Sequence, residues 1–206
     1  MRPYLPFRTS VRARLGVAAL LLLATACASR GPSFVPPSRP ADFSLAGIPW
    51  GISGDSVTSL IERRGYNFNR TDDDGDMWFD GVLYHSPTRL YAFMAEEQLV
   101  KFRVHIGSPD ADVTTVYENA RAELIRQYGR PRETIETYRA PYTKGDGKQL
   151  EAARAGKANI ATYWVLNDGA RESVVAVRLT EELTVVVDYE GPSWQRESVK
   201  RRRRAE

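Results

Sequence analysis

Cysteine occurs once in these 206 residues, at Cys27, and histidine only twice, at His85 and His105. A single cysteine excludes any intramolecular disulfide, so the fold has to hold by packing and hydrogen bonding. Neither histidine stands in a zinc-ligand spacing or beside a nucleophile elbow, and the chain contains no G-x-S-x-G and no H-E-x-x-H. Acids are absent from residues 1–26, which hold Arg2, Arg8, Arg12 and Arg14. The formal charge of +3 therefore misleads: beyond Ala26 the chain has 25 bases against 26 acids, and five of those bases are Lys200 to Arg204. The region before that run is mildly acidic, so the alkaline balance is no argument for nucleic-acid binding.

Long apolar stretches are missing too. Leu15 to Ala26 is apolar for about a dozen residues, short of the roughly 20 that cross a bilayer as a helix. Behind a basic amino terminus, such a run predicts a signal peptide over residues 1–26. Leu23-Ala24-Thr25-Ala26-Cys27 closes it with small residues before the cysteine. This segment resembles the lipobox of bacterial lipoproteins, with Ala24 in place of the commoner leucine. The resemblance implies cleavage before Cys27, lipidation of its sulfur and attachment to a membrane. A plain signal peptide with an incidental Cys27 is the competing reading. Ala28, rather than an aspartate, follows the cysteine, which in enterobacterial lipoproteins implies an outer-membrane location facing the periplasm. Residues 27–46 then carry Pro32, Pro36, Pro37 and Pro40, a density that excludes helix and predicts an extended tether.

With 42% apolar and 27% charged residues, the remainder has the composition of a chain that buries a core. Residues 47–107 predict a helix from Ser53, with Val57, Leu60 and Ile61 on one face and Gly65 as its stop. Strands follow at Tyr66 to Arg70, Met77 to Tyr84, Leu90 to Met94 and Leu99 to Ile106. The last alternates Val100, Phe102, Val104 and Ile106 against Lys101, Arg103 and His105. Residues 108–191 repeat the plan. A helix starts near Asp110 or Asp112 and ends at Gly129, and strands come at Glu133 to Tyr138, Ile160 to Leu166, Glu172 to Leu179 and Leu183 to Tyr189. Asn167-Asp168-Gly169 makes a tight hairpin turn, and residues 143–159 form a polar insertion with one helical turn near Gln149. Leu60-Ile61-x-x-x-Gly65 recurs as Leu124-Ile125-x-x-x-Gly129. The fold class is therefore α+β, with two similar helix-plus-four-stranded antiparallel sheet units that can join as one continuous sheet.

Gly47-Ile48-Pro49-Trp50-Gly51-Ile52-Ser53, leading into a capped helix, is similar to the opening of a group of small bacterial envelope proteins. That group includes the outer-membrane assembly lipoproteins and the tandem-repeat β-lactamase inhibitory proteins. The resemblance implies non-catalytic protein binding and names no partner. The inhibitors carry disulfides that this chain cannot form, so inhibition does not carry over.

Asp72-Asp73-Asp74-Gly75-Asp76 suggests a calcium loop, but an EF-hand register places Arg70 first and Gly81 twelfth, and both fail as ligands. A hairpin loop explains the acids better. Glu96-Glu97 and Glu181-Glu182 read as solvated turns. Trp50 is expected to plug one end of the core. Trp78 and Trp164, on corresponding strands, are expected in the core or on a sheet face that could bind a partner. Residues 192–206 are expected to form a disordered basic tail, in which Lys200, Arg201, Arg202, Arg203 and Arg204 either grip an anionic surface or simply stay solvated. The functional expectation is a lipoprotein bound to the membrane through Cys27, with a non-enzymatic role toward an envelope protein, no cofactor and no nucleic-acid partner. A small-ligand or metal binder is the first alternative, and an envelope hydrolase the second.

Overall fold

A computed structural model describes residues 44–83, 86–107, 112–167 and 172–206, all of which belong to one unit of the chain. The signal peptide, Cys27, the proline-rich segment up to Phe43, His85 and the Asp168-Gly169 turn lie outside the described residues.

Helix α1 (Gly54–Glu62) starts where expected and turns Val57 and Ile61 fully inward. Ser53 begins it through its carbonyl, which accepts the Val57 N–H at 2.9 Å. Four strands follow as a meander: β1 (Asn67–Thr71), β2 (Met77–Leu83), β3 (Ser86–Ala95) and β4 (Gln98–Ile106). The β3–β4 hairpin closes on Glu96 and Glu97, both with φ in the left-handed region, as a two-residue primed turn requires. Helix α2 (Val113–Tyr128) is capped by the Asp112 carboxylate, which accepts the Thr114 N–H. Its buried stripe of Val113, Val116, Tyr117, Ala120 and Leu124 repeats at the helical period. The second meander is β5 (Glu133–Tyr138), β6 (Ala158–Asn167), β7 (Glu172–Leu179) and β8 (Val185–Glu190), with helix α3 (Gln149–Arg154) between β5 and β6.

The strands form a single eight-stranded antiparallel sheet in the order β1-β2-β3-β4-β8-β7-β6-β5. The sheet is continuous, not two separate units, because the last strand of each meander pairs with the other, from Lys101 opposite Glu190 to Ile106 opposite Val185. Alternation then separates two faces. One carries Phe79, Leu90, Phe102, Val104, Val187 and Trp164, which join α1 and α2 in one hydrophobic core extending across β4 and β8. Trp50 packs at its margin, 6.1 Å from the Phe102 ring and against Gly191, whose missing Cβ leaves the room the indole needs.

The carboxyl terminus departs from expectation. Trp194–Ala205 is not a disordered tail but helix α4. Runs of like charge resist folding only where nothing compensates them, and here three things do. Glu197 lies four residues before Arg201 and pairs with it at 3.3 Å. Arg202, Arg203 and Arg204 stand in the last turn, where the helix dipole favours cations. Trp194 docks on the second face of the sheet, 5.4 Å from the Phe93 ring.

Candidate functional site

The second face of the sheet is where polar and aromatic side chains gather. At its centre is the β4–β8 junction. Lys101 is only 2% exposed, and its ammonium donates to Glu190 at 2.7 Å and lies 3.0 Å from Asp188. Arg103, opposite Asp188, grips the same carboxylate through two nitrogens, at 2.7 and 3.2 Å, and Arg178 on β7 approaches it at 3.3 Å. Burial pushes the Asp188 carboxyl up, yet Lys101 and the hydrogen-bonding Arg103 outweigh it and hold the group below the usual carboxylate range. Trp194 of α4 lies over the Lys101 ammonium at 4.6 Å from the ring centroid, and Phe93 flanks it at 5.9 Å. The junction is thus a desolvated charge cluster that α4 partly roofs.

From there a strip continues toward β1. His105 lies tilted against Tyr91 at 4.9 Å, Tyr91 meets Trp78 edge-on at 4.9 Å, and the Arg70 guanidinium lies 3.8 Å over the Trp78 ring. Cross-strand register explains the alignment, because Arg70 opposes Trp78, Trp78 opposes Tyr91 and Tyr91 opposes Arg103. Trp78, Tyr91, Arg103 and His105 are all half-buried. Burial, followed by the neighbouring Arg103 charge, holds His105 below its ordinary pKa, so the imidazole is neutral at physiological pH. Arginine and large aromatics on a half-exposed sheet are the side chains that dominate protein interfaces.

The sequence-singled residues separate here. Trp78 is in the strip, but Trp164 is 1% exposed in the core on the opposite face, with its indole N–H donated to the Gly129 carbonyl at 2.9 Å. Trp164 therefore offers no surface. Arg201 is also spent internally. Its guanidinium holds the buried Asp76 carboxylate at 2.6 and 2.9 Å and donates to the Met94 carbonyl at 2.6 Å. Lys200 reaches Glu96 at 3.3 Å, while Arg202, Arg203 and Arg204 are exposed. The acidic loop has a local explanation: the Asp72 carboxylate accepts the Asp74 and Asp76 backbone N–H groups, and Asp76 accepts that of Met94. Among the described residues, no group of three or more His, Asp or Glu side chains is arranged to hold a metal ion. None of the described helices is long and apolar enough to cross a membrane.

Sequence reasoning missed Tyr91, Asp188 and Arg178. The β3–β4 hairpin sets Tyr91 opposite Arg103, whereas Asp188 and Arg178 reach Arg103 and His105 only because β4 pairs with β8 and β8 with β7. The chain matches no family model, no curated protein and no solved structure.

Proposed function

We propose that this chain is a lipid-anchored envelope protein that binds another protein through the second face of its sheet and catalyses no reaction. The strip Arg70–Trp78–Tyr91–His105–Arg103 carries this reading: it joins rigid aromatics to arginines, half-exposed on a rigid sheet, outside the hydrophobic core. Residues 1–27, with a basic start, a short apolar run and a cysteine behind small residues, support export and anchoring, with the outer membrane as the destination. The strand order supports the finer reading of two similar units. Each runs from a helix into four antiparallel strands, α3 is an insertion in the second, and the pair joins through their final strands. Against a metal in the acidic loop stands the engagement of two of its carboxylates, Asp72 by backbone N–H groups and Asp76 by the Met94 N–H and Arg201.

The test compares captures from solubilised envelopes by the full chain, by a Trp78→Ser/Tyr91→Ser variant and by an Arg154→Ala control outside the strip. The expected result is one stoichiometric protein that the control retains and the strip variant loses, with both variants folded. A protein recovered equally by both variants, or none recovered at all, sinks the reading. Mass spectrometry of the purified mature chain is expected to find Cys27 at the amino terminus carrying lipid; an unmodified leader still attached removes the envelope role.

A further inference from the structure

The outward side of α4 is predominantly cationic. Glu197 and Arg201 point inward with Trp194, and two turns carry Arg196, Lys200 and Arg203 at i, i+4 and i+7 along another side, with Lys200 at its edge near Glu96 and Glu197 and with Arg202 and Arg204 flanking. All five of these bases are exposed, and the acid within the helix, Glu197, is only 6% exposed. A solvated tail would spread such charges over many conformations. Here Trp194 on Phe93 and the Arg201 fork on Asp76 fix the helix, so the charges form one oriented surface.

We propose that this surface of α4 docks on anionic phospholipid headgroups. Three features of the helix favour a bilayer over a single acidic protein. The charges are long, flexible and evenly spread, suited to many equivalent phosphates and not to one shaped site. Val199, 36% exposed between Arg196 and Arg203, adds an apolar contact at the level of the headgroups. Lipid surfaces attract such bases additively and in a salt-dependent way. The proposal uses no residue of the aromatic strip and does not depend on lipid at Cys27, so either reading can fail without the other.

The probe is the full chain carrying Cys27→Ser, mixed with vesicles of phosphatidylcholine alone or with phosphatidylglycerol added. Arg2, Arg8, Arg12 and Arg14 of the leader attract anionic vesicles in every variant alike, so differences between variants on the same vesicles report the helix. Phosphatidylglycerol should strengthen binding, and Arg196→Gln/Arg202→Gln/Arg203→Gln/Arg204→Gln should cut that gain, by about fivefold for each arginine lost. The four corresponding lysine variants together should keep it, and raising the salt to about 0.5 M should abolish it, since the screening length then falls well below 10 Å. Replacing Arg63, Arg130, Arg132 and Arg154 by glutamine is a control with equal charge loss and should leave the gain largely intact. Equal loss in that control, no dependence on phosphatidylglycerol, or binding of heparin without binding of anionic vesicles would overturn the proposal. Should the quadruple variant melt α4, the single variants Arg196→Gln and Arg203→Gln carry the same test.

Discussion

His105 sits in the polar strip, yet its surroundings keep it uncharged. Arg103 shares its strand, Arg89 opposes it on β3, and Arg178 and Asp188 face it from β7 and β8, with Tyr91 tilted against the ring and Glu182 farther off. Burial and the three arginines outweigh the two acids, so the folded pKa lies below the unfolded value of about 6.5. Below that pH the unfolded chain takes up a proton that the folded chain refuses, so stability is lost as pH falls from about 7 toward 5. His105→Gln is expected to flatten that part of the stability–pH curve, measured by denaturant unfolding at a series of pH values. An unchanged slope would show that His105 is not its source. That His105 lies on the polar side of β4 was legible from strict alternation of apolar and polar residues. Its neutrality was not, since Arg89 and Arg178 become neighbours only through strand register.

At the scale of elements, helices and strands followed closely from periodicity and stop signals, with the glutamine-led turn of the insertion emerging as α3. The exception is α4. Its composition argued for disorder, and the partners that order it are distant in sequence: Asp76 lies in the β1–β2 loop, Met94 at the end of β3 and Phe93 beside it. By sequence Asp76 is one more acid of a hairpin loop, whereas it is 4% exposed and holds the helix. Removing Arg201 leaves that carboxylate with the Met94 N–H as its remaining recorded partner. Breaking a fully buried pair from one side costs about 3–5 kcal/mol, and because the Arg201 side chain is 20% exposed the loss from Arg201→Ala is expected nearer 2 kcal/mol. Arg201→Lys should fall between, keeping the charge but not the two-pronged grip. Hydrogen exchange across 194–205 should accelerate in the alanine variant. Unchanged exchange and an unchanged unfolding midpoint would show that α4 is held by Trp194 alone.

For the molecule as a whole, the β4–β8 pairing matters most, and it is the feature the sequence left open. The α+β class and the succession of helices and strands were legible, but whether the strands join in one sheet depends on the edge strands each meander presents. Lys101 opposite Glu190 and Arg103 opposite Asp188 make that edge self-complementary in charge, and Val104 opposite Val187 makes it continuous in the core. Because α4 rests on the same face as the aromatic strip, its cationic side and the strip look in one direction. If both proposals hold, the partner that reads the strip is one seated in or on the bilayer that α4 meets. The shared sheet and shared core also fix how the described region unfolds. Neither meander can leave without exposing Phe102 and Val104 or Val185 and Val187, so a single cooperative transition is expected, with tryptophan fluorescence and far-UV circular dichroism superimposing. Asp188→Asn tests the seam directly. It leaves Lys101 with Glu190 as its recorded acid partner and Arg103 without its carboxylate, and should lower the whole transition by about 3 kcal/mol. Because the Asp188 pKa is depressed on folding, its contribution is present above about pH 5 and fades as pH falls through the folded value, so parent and variant should converge in acid. Two separable transitions would mean that the halves unfold independently of their shared core, and a variant whose deficit persists in acid would mean that the ionised Asp188 carboxylate is not what holds the seam.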